Sequence, residues 1–154
     1  MNVKRLLLAV AVLAACYGLL TPTAAMANPD KPADAEFTAM DANHNGSISA
    51  VEHAAAAARM FSTMDGDGDG RVSPAEMTAA QQKVTGKKAK PGDLSAADKI
   101  KVIDVNGDGV LSAAEHSTGA AKMFHDIDVI RDGQLSRAEM TAAHAKLTRA
   151  PGKG

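Results

Sequence analysis

The feature that most constrains the fold of this chain is a twelve-residue acidic segment that occurs four times, once in an altered form. Its clearest copy, DGDGDGRVSPAE, runs from Asp65 to Glu76 and places a carboxylate at its first, third and fifth positions. Carboxylates so close together repel one another unless a cation lies between them. A hard divalent cation takes about six to eight oxygen ligands and would turn this repulsion into binding. The segment therefore predicts a loop folded around a metal ion.

Each remaining position of this segment suits a metal-binding loop. Gly70 at position 6 permits the positive φ of a sharp turn, because glycine has no Cβ to clash. The backbone carbonyl of Arg71 at position 7 can bind the ion, and Glu76 at position 12 supplies two carboxylate oxygens. Ser73 and Pro74 are typical of the start of a helix, which would carry this glutamate on its first turn. The predicted ligands in this copy are Asp65, Asp67, Asp69, Arg71 and Glu76.

The segment recurs at Asp41–Glu52 and Asp104–Glu115 as full copies, and at Asp128–Glu139 as an altered one. We number the four copies loops 1 to 4 in chain order, so the clearest copy is loop 2. Ile130 occupies position 3 of loop 4, where an oxygen is required, so loop 4 is predicted to be the weakest site. Position 7 again binds through its carbonyl. The predicted ligands are Asp41, Asn43, Asn45, Ser47 and Glu52 in loop 1, and Asp104, Asn106, Asp108, Val110 and Glu115 in loop 3.

Loops 1 to 3 follow the pattern D-x-[DN]-x-[DN]-G-x5-E in full, and position 8 is apolar in all four loops, as Ile48, Val72, Leu111 and Leu135. The chain therefore resembles exported bacterial calcium-binding proteins of the calmodulin-like EF-hand family over residues 36–148. This resemblance implies an all-α fold of four loop-helix repeats, with short β-bridges between the position-8 residues of paired loops. It also implies Ca²⁺ as the bound ion, with Mg²⁺ as a weaker candidate.

The chain is also internally duplicated. Residues 41–85 align with residues 104–148 without gaps, and about half of the aligned positions are identical, which defines a repeated loop-helix-loop-helix unit. Only twelve residues, without Gly or Pro, separate Glu52 from Asp65, so one helix of about three turns is predicted to serve both loops. Loops 1 and 2 would then lie at opposite ends of this helix. We therefore expect loop 2 to pair with loop 3, and loop 1 with loop 4.

The N-terminal residues have the pattern of an export signal. Lys4 and Arg5 precede an apolar run over residues 6–20, and small residues lead to an expected cleavage site after Ala27. An alternative is lipidation at Cys16, which would attach the protein to a membrane. The protein is thus expected to be exported, either periplasmic or extracellular. Cys16 is the single cysteine, so an intrachain disulfide is excluded.

The predicted domain organisation follows from these patterns. A turn-rich stretch, TGKKAKPGDL, divides the two copies of the repeat. The expected segments are a signal peptide over 1–27 (ending at Ala15 if Cys16 is lipidated), a flexible segment over 28–35, a first EF-hand unit over 36–85, a linker over 86–94, a second EF-hand unit over 95–148, and a disordered tail over 149–154.

Two histidines stand where EF-hand helices usually carry an apolar residue. His53 and His116 directly follow the closing glutamates of loops 1 and 3. Imidazole is a ligand for Zn²⁺ or Cu²⁺, so one interpretation is a share in a transition-metal site. The favoured interpretation is a partly buried or surface histidine on the shared helix.

The sequence predicts a binding protein rather than an enzyme. No nucleophile, base and orienting group form a catalytic set, and the formal net charge of -1 does not favour nucleic acid as a partner. The favoured role is a calcium sensor or adaptor, in which calcium exposes a Met-rich surface to an unidentified protein partner. The alternative is a calcium-stabilised structural or calcium-buffering protein. Carboxylate count ranks loops 1 to 3 in the order 2, 3, 1, and loop 4 comes last because Ile130 removes the oxygen at its position 3.

Overall fold

The computed structural model describes residues 32–85 and 95–148, which form six helices and four short strands. The predictions for the signal peptide, Cys16, the linker and the tail lie outside these residues. Among the described residues, no helix combines the length and apolar character needed to cross a bilayer. The elements are α1 Pro32–Met40, β1 Ser47–Ser49, α2 Ala50–Met64, β2 Arg71–Val72, α3 Pro74–Thr85, α4 Ala96–Ile103, β3 Leu111–Ser112, α5 Ala113–Ile127, β4 Gln134–Ser136 and α6 Arg137–Thr148.

The first helix begins earlier than the sequence pattern indicates. We expected a flexible segment up to residue 35, but α1 begins at Pro32. Proline suits the first helical position, because the amide N–H that it lacks has no partner there, and Asp34 in the first turn faces the positive end of the helix dipole. Both local signals favour a helix start ahead of the repeat.

Helices α2 and α5 each join two loops, as the repeat spacing predicts. The Ser49 side chain and Glu52 form a capping box at the start of α2, and Ser112 and Glu115 do the same for α5. At the other end of α2, the N–H of Asp65 donates to a carbonyl of the last turn, so position 1 of loop 2 ends this helix. Each 15-residue helix therefore holds its two loops about 20 Å apart.

Because loops on one helix cannot meet, the strands pair between the two halves of the chain. β1 pairs with β4 in antiparallel register, with Ile48 opposite Leu135. β2 pairs with β3, with Val72 opposite Leu111. The expected pairings of loop 1 with loop 4 and of loop 2 with loop 3 are both confirmed.

One hydrophobic core serves both halves. The four position-8 residues of the bridges are 0% exposed and belong to the same cluster as the phenylalanines Phe37, Phe61 and Phe124. Helices α2 and α5 pack against each other at the centre, α1 packs on α6, and α3 packs on α4. Methionines fill the same cluster, because their flexible side chains adapt to irregular gaps. The buried methionines are Met40, Met60, Met64, Met77, Met123 and Met140.

The two histidines lie deeper than the sequence indicates. His53 and His116 are 2% and 3% exposed, at the contact between α2 and α5. His53 lies against the ring of Phe124, and His116 against the ring of Phe61, each with ring centroids 5.5 Å apart. The expectation of partly buried or surface side chains was wrong, since the apolar stripe of each shared helix includes its first turn. These imidazoles act as core aromatic groups.

Burial sets the protonation state of both histidines. Desolvation lowers the pKa of His53 to about 4, and desolvation together with the nearby His53 lowers the pKa of His116 to about 4. Both rings are therefore neutral near pH 7. Among the described residues, Nε2 of His116 has no hydrogen-bond partner and is completely buried. This nitrogen adds to the free-energy cost of placing a polar ring in the core.

Charged pairs tie the terminal helices together. The carboxylate of Glu36 on α1, itself buried, contacts Nε2 of His144 on α6. Arg137 lies with its guanidinium carbon 4.4 Å from the ring centroid of Phe37 and with Nη1 3.6 Å from Asp34. The Glu36 hydrogen bond, opposed by burial, raises the pKa of His144 above the ordinary histidine value of about 6.5. The α1–α6 contact thus carries a pH-sensitive ion pair.

Substituting His144 by glutamine is expected to reduce stability most at low pH. Because the pKa of His144 is higher in the folded chain, protonation of this residue stabilises the fold. This stabilisation is complete below about pH 6.5 and disappears as the pH rises through the pKa of the folded chain. We expect a difference of about 1 kcal/mol in the free energy of unfolding near pH 5.5, falling towards zero near pH 9. Urea unfolding of both proteins across this range measures the difference. A difference that grows with pH would contradict the assignment.

Candidate metal sites

All four loops share one backbone conformation. Position 6 is a glycine with φ between 79° and 83°, and position 4 also has positive φ in each loop. Loops 2 and 3 place Gly68 and Gly107 at position 4, where this conformation costs little. Loops 1 and 4 place His44 and Arg131 there with φ of 58°, so these loops store about 1 kcal/mol more backbone strain each. The surrounding structure enforces the loop conformation even where the sequence resists it.

Loop 2 is organised around the carboxylate of Asp65. Its Oδ1 accepts the N–H groups of Gly68 and Asp69 at 2.8 and 3.1 Å, and its Oδ2 accepts the N–H of Gly70 at 3.0 Å. Asp67 also accepts the N–H of Asp69, at 3.1 Å. Backbone donors thus balance part of the negative charge and fix where the carboxylates lie.

The closing glutamate completes loop 2. Glu76 lies in the first turn of α3, where Oε2 accepts the N–H and the hydroxyl of Ser73 at 2.9 and 2.8 Å. Its Oε1 accepts the N–H of Gly66 at 2.8 Å, which brings the glutamate across the loop. Asp65, Asp67 and Glu76 each offer an oxygen within 4.8 Å of the others. Such a set of oxygens fits a hard cation.

Hydrogen bonds keep the closing glutamates ionised. The backbone and then the side chain of Ser73, with further N–H donors from the loop, lower the pKa of Glu76 to about 2. Ser112 acts in the same way on Glu115, whose pKa is also lowered to about 2. In loop 1 the pKa of Glu52 is lowered, chiefly by Ser49. The charge that a divalent cation requires is therefore present at every physiological pH.

Loops 1 and 3 repeat this arrangement. Asp41 accepts the N–H groups of Asn45 and Gly46, both at 3.0 Å. Asp104 accepts those of Gly107 and Gly109 at 2.6 and 2.9 Å. Glu52 and Glu115 reach back to the N–H groups of Asn43 and Asn106. Asparagine offers a neutral oxygen at position 3 of both loops and at position 5 of loop 1, where loop 2 has carboxylates.

Loop 4 keeps the shape of the other loops without their full ligand set. Asp128 accepts the N–H groups of Asp132 and Gly133 at 3.2 and 3.0 Å, and Glu139 accepts that of Val129 at 3.0 Å. Ile130 at position 3 is 68% exposed and offers no oxygen. The loop thus keeps its conformation through N–H donors to the carboxylates of Asp128 and Glu139 and through the bridge to loop 1, without an oxygen at position 3.

Restoring an oxygen at position 3 of loop 4 is expected to create a metal site. The Ile130→Asp variant should bind one more calcium ion per chain than the parent protein at millimolar calcium, because the rest of the loop is already in place. Isothermal titration calorimetry measures the number of ions bound. Ile130→Ala is the control, since it removes the apolar side chain without adding an oxygen. Equal stoichiometry in Ile130→Asp and Ile130→Ala would show that loop 4 lacks more than this one ligand.

Sequence reasoning missed a contact between paired loops. Position 7 was given a role only through its carbonyl, yet its side chain reaches over the β-bridge. Nη1 of Arg71 in loop 2 lies 3.3 Å from Oδ2 of Asp108 in loop 3. In the other pair, the Ser47 hydroxyl contacts the side-chain carbonyl of Gln134. The signal was available in the expected pairing of loops 2 and 3, which places position 7 of one strand beside the other loop.

The described part of the chain is thus a helical protein with oxygen-lined loops at its helix ends. A family model described as EF hand matches residues 33–52, 57–79 and 97–115, and these matches support an EF-hand protein. EF-hand domains imply calcium binding, and the family is typically non-enzymatic. The matched ranges contain loops 1, 2 and 3 in full, whereas loop 4 lies outside them. A comparison with curated proteins found no match.

Proposed function

We propose that this chain is an exported calcium-binding protein built of four loop-helix repeats, of which loops 1 to 3 hold calcium. The observation that carries the proposal is the convergence of Asp65, Asp67 and Glu76, whose oxygens lie within 4.8 Å of one another. Asp69 and the carbonyl of Arg71 would complete the oxygen set of this loop. Loops 1 and 3 would use their corresponding residues.

The charge of the ligands orders the proposed sites. Loop 2 has four carboxylates at ligand positions, loop 3 has three and loop 1 has two. Each added carboxylate strengthens the attraction for a divalent cation, so loop 2 fills first and loop 1 last. Calcium outside the cytosol reaches concentrations at which weak sites fill, with dissociation constants of about 10⁻⁴–10⁻³ M for extracellular modules. Export is therefore compatible with all three loops being occupied.

We propose that calcium completes and stabilises the fold rather than opening a groove. Three carboxylates of loop 2 lie close together. In the same structure, the six methionines of the described residues are buried in the core. The geometry that receives the ion thus coexists with a closed core. Metal binding then adds to the folding free energy directly, since the ligands converge only in the folded chain. A calcium sensor or adaptor, the role that the methionine content favours, would instead have to move these side chains to the surface.

Fluorescence of the apolar-surface dye ANS distinguishes these two roles. The mature chain from residue 28 contains neither Trp nor Tyr, so an added dye is required. If calcium completes the fold, dye fluorescence falls as calcium is added to the metal-free protein, and an equal concentration of magnesium has a smaller effect. A saturable rise with calcium would support the sensor and lead to a search for its protein partner. The Glu76→Gln/Glu115→Gln variant is the control, because it should lose most of either response.

Export is supported by the N-terminal pattern of basic, apolar and small residues. We propose cleavage after Ala27, with lipidation at Cys16 as the alternative. Expression of the full chain in a Gram-negative host, followed by mass spectrometry of the product, tests this. A periplasmic product beginning at Asn28 supports cleavage, and a membrane-bound product with acyl chains on Cys16 supports lipidation. An intact cytosolic chain would contradict export.

A further inference from the structure

The positively charged side chain of Arg71 contacts Asp108, which is one of the proposed calcium ligands. We infer that the guanidinium of Arg71, which belongs to loop 2, competes with calcium for Asp108 in loop 3 and so weakens calcium binding by loop 3. The inference rests on the proposed calcium binding and extends it, because it assigns to the Arg71 side chain a part in setting the affinity of a loop to which it does not belong.

The contacts of Asp108 carry the inference. Its Oδ2 accepts from Nη1 of Arg71 at 3.3 Å and from the side-chain amide of Asn106 at 3.2 Å. Its Oδ1 accepts the N–H of Val110 at 3.1 Å. Both oxygens of this position-5 carboxylate are therefore engaged. A cation entering loop 3 must share Asp108 with the guanidinium or displace it, and either event lowers the binding free energy of the ion.

The bridge between the loops places Arg71 for this role. Arg71 is the first residue of β2, and its Cα partner in β3 is Ser112, which caps the helix that carries the closing glutamate of loop 3. The ladder of β2 and β3 thus holds the base of the arginine beside loop 3. Its backbone stays in loop 2, where its carbonyl is a proposed ligand. One residue therefore contributes to both sites with opposite effects, as a ligand in one and a competing charge in the other.

The arrangement is not reciprocal. The residue of loop 3 at the matching position is Val110, which carries no charge that could act on loop 2. In the other pair, the matching side chains are the neutral Ser47 and Gln134. The effect is therefore expected at loop 3 and nowhere else. Its size is modest, because the arginine and aspartate side chains are 58% and 34% exposed and water screens their attraction.

Nuclear magnetic resonance of the mature protein tests the inference loop by loop. The N–H groups of Gly70 and Gly109 donate to position 1 of loops 2 and 3, so each amide signal reports calcium entry into its own loop. In the Arg71→Met variant, we expect the calcium concentration at half-change to fall about threefold for Gly109 and to stay within the error of the measurement for Gly70. Arg71→Lys, which keeps the charge, should stay close to the parent protein.

A matched control separates the effect of losing the Arg71–Asp108 ion pair from the effect of changing the net charge. Arg59 is exposed on α2, so Arg59→Met removes the same charge and adds the same side chain away from the bridge. This variant should leave the midpoint of Gly109 unchanged. An unchanged or higher midpoint for Gly109 in Arg71→Met, with Gly70 still titrating, would overturn the inference alone. If neither amide responds to millimolar calcium in the parent protein, the proposed calcium binding fails, and the inference fails with it.

Discussion

Replacing Glu76 by glutamine is expected to raise the calcium dissociation constant of loop 2 by roughly 100-fold. Glutamine keeps one oxygen at position 12 but loses the second oxygen and the negative charge that together make a bidentate ligand. The remaining amide oxygen can still accept from Ser73, so the start of α3 should survive. Isothermal titration calorimetry of the mature protein measures the loss as the disappearance of its tightest binding step.

Glu139→Gln is the matched control for this substitution. Glu139 holds the same position in loop 4 and makes the same contacts with the serine that caps its helix. Because loop 4 has Ile130 at position 3, the same chemical change there should leave the tightest binding step in place. If both variants weaken calcium binding equally, the loss reflects damage to helix capping and not the loss of a ligand.

Acidification of the calcium-free protein is expected to destabilise it strongly between about pH 6.5 and pH 4. Burial lowers the pKa of His53 and of His116 to about 4 in the folded chain, whereas the ordinary histidine value is about 6.5. In this interval the two histidines are protonated in the unfolded chain and neutral in the folded chain. The free energy of unfolding therefore decreases as the pH decreases. The cost is about 2–3 kcal/mol for each histidine, which is a large part of the stability of a small domain. Urea unfolding at a series of pH values measures it.

The His53→Leu/His116→Leu variant supplies the comparison for the pH experiment. Leucine fills a similar volume without a titrating group, so the free energy of unfolding should vary much less over this interval. The ion pair of His144 works in the opposite direction, because its raised pKa favours the folded chain at lower pH. A pH dependence in the double variant as steep as in the parent protein would assign the effect to other groups.

The arrangement of helices and loops could be read from the sequence because it follows from spacing. Twelve residues without a helix breaker allow one helix and no turn, and a helix of that length keeps its two loops apart. Pairing between halves is then the remaining way to bury the apolar position-8 residues. The early start of α1 at Pro32 was missed, because capping and dipole signals lay outside the repeat that defined the boundary.

Side-chain environments were harder to anticipate than backbone positions. The ligand positions of the loops follow from a local pattern, since all of them lie within twelve consecutive residues. His53 lies on the apolar face of α2, but the ring that it contacts is Phe124 in the other half of the chain, and no local pattern reveals that partner. The contact of Arg71 with Asp108 likewise joins two loops. Contacts between distant segments depend on packing geometry, which residue spacing alone does not specify.

The crossed pairing of loops makes the chain equivalent to a symmetric dimer whose subunits have been joined. Each half contributes one strand to each of the two bridges and part of the shared core. The strands of one half therefore find their hydrogen-bond partners only in the other half. Covalent connection replaces a bimolecular encounter by an intramolecular one, which gives each half a high effective concentration of its partner. We therefore expect the pairing of the two halves to be independent of protein concentration, and we expect the halves to unfold together in one cooperative transition.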